Sequence, residues 1–130
     1  SLREEIEKDF SVIHPNLTLG DLVEVVAHSK RNIFPVVDDE NSFKGVVYLD
    51  SIRGVMFDHE KYNEMEVCDF MVVPHVTIDY RDKMNDVLRK FEETGAWNLP
   101  VLNKGKYLGF VSKSNIFTAY RSLLKEFSDD

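Results

Sequence analysis

Cysteine, glycine, proline and net positive charge are all scarce in this chain of 130 residues. Cys68 is the only cysteine, so no intramolecular disulfide can form. A lone thiol suits a reducing compartment, and the chain reads as cytosolic. Six glycines and four prolines are too few for a collagen-like or low-complexity chain. No apolar run approaches the roughly 18 residues that suggest a membrane span, and no signal peptide opens the sequence. Sixteen basic residues stand against twenty-three acidic ones, a formal charge of −7. With no basic stripe, a nucleic-acid partner is disfavoured. A chain that starts at Ser1 without Met reads as a piece of a larger protein.

What is present is a repetition. Phe34-Pro35-Val36-Val37 is followed by Gly45-Val46-Val47-Tyr48-Leu49-Asp50-Ser51-Ile52. Later, Leu99-Pro100-Val101-Leu102 is followed by Gly109-Phe110-Val111-Ser112-Lys113-Ser114-Asn115-Ile116. The prolines are 65 positions apart and the glycines 64, so the second copy has lost one residue from its turn. A fixed period of this size marks a duplicated supersecondary unit. Each half is only roughly 60 residues, too small for a robust core of its own, so the halves are expected to share one.

The helical face Leu19, Leu22, Val23 and Val26 maps one to one onto Met84, Val87, Leu88 and Phe91. Thr18 with Asp21 signals the start of the first of these helices, and Gly95 caps the end of the second. Residues 2–10 read as a short leading helix, and Val12 and Ile13 as a brief strand. Pro35 and Pro100 are expected at strand starts or edges, because proline cannot donate to a ladder. Returning strands are predicted over 43–48 and 107–112, each followed by a helix, over 50–57 and 114–127. The last helix carries Ile116, Tyr120, Leu123 and Phe127 on one face, with Phe117 and Leu124 beside it. That face reads as packing on its own sheet, with a partner as the alternative. The fold class is therefore mixed α/β, two pseudo-symmetric βαββα units packed sheet to sheet. The divisions are a leading helix and linker over 1–11, a first unit over 12–57, a connector over 58–66 and a second unit over 67–130.

This pattern, with Pro-Val on one strand and Gly-apolar-Val on the next in both halves, resembles a tandem pair of CBS domains, a Bateman module. The stretches Trp97-Asn98-Leu99-Pro100-Val101, Gly109 to Ser114 and Tyr120 to Ser128 further resemble bacterial ClC-type chloride channels. Glu7-Lys8-Asp9-Phe10 and Ile52 to Phe57 point the same way. The resemblance implies a homodimer through the CBS units, on the cytoplasmic side of a membrane channel domain in a parent protein. It also implies AMP, ADP or ATP as a regulatory ligand, and no catalysis.

Nucleotide-holding CBS units usually read Gly-apolar-apolar-Thr/Ser-x-x-Asp. The carboxylate accepts from the ribose hydroxyls in charge-assisted bonds, and the hydroxyl serves a phosphate. The first half has Tyr48 and Ser51 at those positions, with Phe34 and Pro35 on the strand, and reads as a degenerate site that Tyr48 fills. Asp50 lies one position early and is expected to point elsewhere. The second half has Ser112 and Asn115, and the resemblance sets Leu99, Pro100 and Thr77 beside them. Asn115 accepts through its carbonyl oxygen but brings no charge. Losing a charge-assisted bond costs about 1–2 kcal/mol, roughly ten-fold in affinity. The second site is therefore the better one, and a weakened one. The competing local explanation is that Ser112 and Asn115 cap the last helix.

A nucleophile and base would have to be Cys68 and His75, seven apart with no third member. Among Val67, Phe70 and Met71, Cys68 reads as a core residue instead. Trp97 reads as packing, with stacking on a base as the alternative. No histidine spacing suits a metal. The remaining function classes are a regulatory CBS module of this or another host, a purely structural dimerisation module, and a small enzyme for which no catalytic set is present.

Overall fold

A computed structural model describes residues 1–128. The chain forms two compact units, one of residues 9–75 and one of residues 1–8 with 76–130. Each is mixed α/β with the βαββα order expected from sequence.

In the unit of residues 9–75, α1 (Leu19–Ala27) begins where the Thr18 hydroxyl accepts the Asp21 N–H at 3.2 Å. Strands β1 (Ile33–Val37) and β2 (Phe43–Tyr48) form an antiparallel hairpin, and α2 (Leu49–Ile52) follows at once. The Asp38 carboxylate accepts the N–H groups of Glu40 and Ser42, both at 2.9 Å, and so holds the hairpin loop. Those bonds, the Ser42 N–H foremost, keep its carboxyl below the usual aspartate value. Leu19, Leu22, Phe34, Val36, Val47, Ile52 and Val67 are fully buried in one core.

In the other unit, β3 (Ile78–Asp79) lies parallel to β4 (Asn98–Asn103), which pairs antiparallel with β5 (Lys106–Ser112). Helix α3 (Met84–Thr94) ends at Gly95, whose φ of 67° is the left-handed cap. The β4–β5 loop is Lys104-Gly105 with φ of 52° and 82°, the two positive values a tight two-residue hairpin requires. Helix α4 (Lys113–Ser128) completes the unit. Its core holds Ile78, Val87, Phe91, Leu99, Val101, Val111 and Ile116, and also Leu2.

Leu2 belongs there because the segments that precede the two halves are exchanged. Glu7 exchanges both backbone bonds with Phe110, at 2.7 and 3.0 Å, and so extends the sheet of the second half. Val72 does the same with Val46, at 2.8 and 2.9 Å, and extends the sheet of the first half. Glu7 and Val72 are 65 residues apart, as are Leu2 and Val67, both buried. At the opposite edge Ile13 bridges Val36 in parallel, as Ile78 pairs with Val101, again at the 65-residue period. The duplication therefore extends through every strand position of both sheets.

The exchange explains the repeated glycines. A Cβ on Gly45 would stand 2.5 Å from the Val72 carbonyl oxygen and 2.7 Å from Met71 Cγ. A Cβ on Gly109 would overlap the Glu7 carbonyl oxygen and lie 2.7 Å from Ile6 Cγ2. Both positions need a residue without a side chain so that the exchanged segment can cross.

Several local expectations give way. Residues 2–10 form one 3-10 turn (Leu2–Glu5) and then run extended, because pairing with Phe110 holds Glu7 in a strand geometry. The strand at Val12 and Ile13 is a single bridge at Ile13. Helix α2 stops at Ile52 rather than 57. Its N-terminal neighbour Tyr48 makes no side-chain cap, and the chain leaves the helix through a turn at Gly54. Pro35 lies within β1, an edge strand of a two-stranded sheet, whereas Pro100 lies inside the central strand β4 and not at a strand start or edge. Pro100 is tolerated in the central strand because the neighbour β3 pairs only from Val101 onward. The stretch 58–66 is packed on α1: Leu19 N–H donates to the Met65 carbonyl and Gly20 N–H to that of Tyr62. On α4 only the first two turns pack inward. Leu123 and Leu124 are more than two-fifths exposed and Phe127 is 81% exposed, so the sheet covers only half the apolar face.

Candidate functional site

The two strand-to-helix junctions are built alike. Leu49 N–H donates to the Asn32 carbonyl at 2.9 Å, and Lys113 N–H donates to the Trp97 carbonyl at 2.8 Å. In register, Tyr48 pairs with Ile33 and Ser112 with Asn98. The same backbone thus presents position 48 in one unit and position 112 in the other at the mouth of a helix.

The side chains then differ. Ser112 Oγ accepts the Asn115 N–H at 3.1 Å, which makes it the N-cap of α4. Asn115 is exposed in the first turn of that helix. Tyr48 caps nothing, and its ring is 44% exposed. Ser51 is exposed on α2. Asp50, one position early, turns to Arg53 at 2.7 Å, as its place on the helix requires.

Around the second junction, Leu99 and Pro100 are both buried, and the Leu99 side chain belongs to the core. Phe34 and Pro35 stand the same way in the first unit, with Phe34 wholly buried. Thr77 precedes β3, and its carbonyl accepts from Lys90 Nζ at 2.9 Å. Lys90 also holds Asp82 at 2.6 Å, which ties α3 to the start of the sheet. Asp79 is kept below the usual aspartate pKa chiefly by the Arg81 guanidinium.

Two readings are corrected here. Trp97 is 75% exposed and not packed; its carbonyl is committed to the junction while its ring faces solvent beside Lys113. Cys68 is exposed and not a core residue. The turn at 66–69 is fixed by the Glu66 N–H donating to Asp69 at 2.8 Å, and it gives the buried place to Val67. The residue the sequence reading passed over is Lys113. Its ammonium lies 5.4 Å from the Trp97 ring centre and 6.0 Å from that of Phe117, a cation held between two aromatics at the start of α4. Its position next to Ser112 was the available signal.

Among the described residues no cluster of three His, Cys, Asp or Glu suited to a metal occurs, and no charged side chain is buried. No described helix is long and apolar enough to cross a membrane.

A doubled βαββα unit, with a Pro-bearing strand and a Gly-bearing return strand in each copy, defines a tandem-repeat module. The CBS domain family model matches residues 3–58 and again residues 67–122, and the chain belongs to this family as a CBS pair. It is 26% identical over 118 residues to the uncharacterized protein MJ1004 of Methanocaldococcus jannaschii, covering 88% of this chain and 54% of that one. The chain spans about half the length of the curated relatives it matches first. Among solved structures it resembles CbpB in complex with c-di-AMP, at a TM-score of 0.75 and 16% identity, covering 98% and 89% of the two chains. It also resembles CBSX2 in complex with AMP, at 0.68 and 24%, covering 93% and 91%. The soluble part of a magnesium transporter follows at 0.72 and 19%, covering 91% and 46%. At these identities the likeness establishes the fold.

Proposed function

We propose that this chain is the regulatory CBS pair of a membrane transport protein of the ClC chloride-channel type, on the cytoplasmic side, and that it senses an adenine nucleotide weakly. The carrying observation is the inequality of the two junctions. Ser112 caps α4 with Asn115 in its first turn and Lys113 beside it, whereas at the same backbone places the first unit has a large exposed tyrosine, Tyr48, that caps nothing, and the short Ser51. AMP, ADP or ATP would set its ribose against Asn115, its phosphate toward Ser112 and Lys113, and its base along the main chain of Thr77, Leu99 and Pro100. Support comes from the AMP and c-di-AMP complexes of neighbours, and from the transporter neighbour. The ClC host rests on the flanking residues around Trp97, Gly109 and Tyr120. The module acts without catalysis, through a homodimer in which a second copy covers Leu123, Leu124 and Phe127. A ligand biases the attached domain only by its difference in affinity between two states.

One observation favours a second reading, a dimerisation module without ligand: the Ser112 hydroxyl is already engaged as a cap. Deletion of residues 1–128 from the parent protein tests the proposal. Altered ion flux with intact membrane insertion supports regulation. Loss of assembly with unchanged flux per assembled channel supports the structural reading, and no change in either overturns both.

A further inference from the structure

At the far end of the same hairpin from Ser112 lies a cavity of about 290 Å³ lined by Arg3, Ile6, Lys8, Tyr80, Asn103 and Leu108. It belongs wholly to the unit formed by residues 1–8 and 76–130. Two cations and no acid line it, in a chain whose formal charge is −7. Glu5 and Glu7 flank Ile6 in sequence but do not line the cavity, and three other acids near it face cations of their own. Glu4 faces the Ser1 amine at 3.8 Å, Asp79 faces Arg81 at 3.2 Å, and Asp82 faces Lys90 at 2.6 Å. Arg3 and Lys8 have no ion-pair partner among the described residues. Lys104 follows Asn103 in the hairpin loop and adds a third positive charge to this end of the sheet.

Arg3 is also held in position. Its guanidinium carbon lies over the Tyr80 ring, 5.2 Å from the centre, and the Tyr80 main chain is anchored to the sheet by its N–H donating to the Leu102 carbonyl at 2.8 Å. A guanidinium stacked on an aromatic face keeps its edge donors free and its plane set, the arrangement that suits bidentate binding of an oxyanion. Ile6 and Leu108 supply apolar wall, and Asn103 supplies an amide. The volume is at the lower end for small-molecule pockets.

We infer that this cavity binds a small phosphate monoester, with the phosphate on Arg3 and Lys8 and its organic group against Ile6 and Leu108. A doubly charged phosphate matches two cations better than a single carboxylate does. The site is separate from the Ser112 junction, because β4 runs from Asn98, which pairs with Ser112, to Asn103, which pairs with Lys106.

The test is an NMR titration of the full chain with phenyl phosphate, inorganic phosphate and benzoate at constant ionic strength. The expected result is saturable shifts at Arg3, Tyr80 and Asn103, with phenyl phosphate tighter than either of the other two. Arg3→Ala should weaken phenyl phosphate about ten-fold or more, and Arg3→Lys should recover only part of that. Lys8→Ala should weaken it without disturbing the fold, since Lys8 is exposed. Lys30→Ala, which removes an exposed cation outside the cavity, should leave it unchanged. Overturning results are the absence of saturable shifts, equal binding of benzoate and phenyl phosphate, shifts centred on Ser112 and Asn115, or undiminished binding by both Arg3→Ala and Lys8→Ala.

Discussion

The carbonyl of Glu7 crosses Gly109 so closely that no side chain can stand between them. The same crossing joins Val72 to Gly45 at the repeat's period, so each half of the chain is completed by the segment that leads into the other. Gly109→Ala and Gly45→Ala should each destabilise the protein by about 1–3 kcal/mol, because backbone rather than a flexible side chain must give way. Gly54→Ala, with nothing within 4 Å of the new methyl, should stay within about 0.5 kcal/mol of the native chain. Urea unfolding of the three variants measures this, and equal effects at all three positions would refute the crossing as the cause.

Leu2 is 6% exposed, although it lies in what the sequence presents as a leading segment. Its truncation to Ala should cost about 2–4 kcal/mol, as for a core leucine. A true linker residue would show a change near zero in the same unfolding experiment.

The Ser112 cap offers a separate test. Ser112→Ala should lose about 1 kcal/mol, and Ser112→Asp should retain most of the native stability, since aspartate caps as well as serine. If both variants lose the same amount, the hydroxyl serves something other than the Asn115 N–H.

Asp38 gives the fold a pH dependence of known sign. Its folded-state pKa is lowered from 3.8, first by the Ser42 N–H bond. The stabilisation is therefore complete above the unfolded value and is lost as the pH falls through the lowered folded value. Asp38→Ala should be less stable than the native chain near neutrality, and the gap should close below pH 3.8. Unfolding curves across that range, with a gap that stays constant, would assign the loop's stability elsewhere.

The duplication was legible because period, spacing and residue type all repeat, from Leu19 and Met84 to Pro35 and Pro100. The exchange was not. Ile6 and Met71 occupy equivalent places in a repeat, and nothing local says which sheet each will join. The short α2 was hidden because its continuation to residue 57 has helical composition, while the missing cap at Tyr48 shows only in the folded chain. Trp97 and Cys68 face solvent although their residue types suggest packing, because sequence alone does not fix which side chain turns inward. At the candidate site the residue types at 48, 51, 112 and 115 could be read directly. Lys113 gained meaning only once the junction set it against Trp97 and Phe117.

Calorimetric titration of AMP, ADP and ATP into the native chain and into Asn115→Asp, run side by side, tests the unequal-junction account most directly. A carboxylate at position 115 restores the charge-assisted acceptor for the ribose and also favours the first turn of α4. Thermal unfolding without nucleotide separates that second effect. The account predicts weak binding by the native chain and binding about ten-fold tighter by the variant. Tight binding by the native chain, or no gain in the variant, would contradict it.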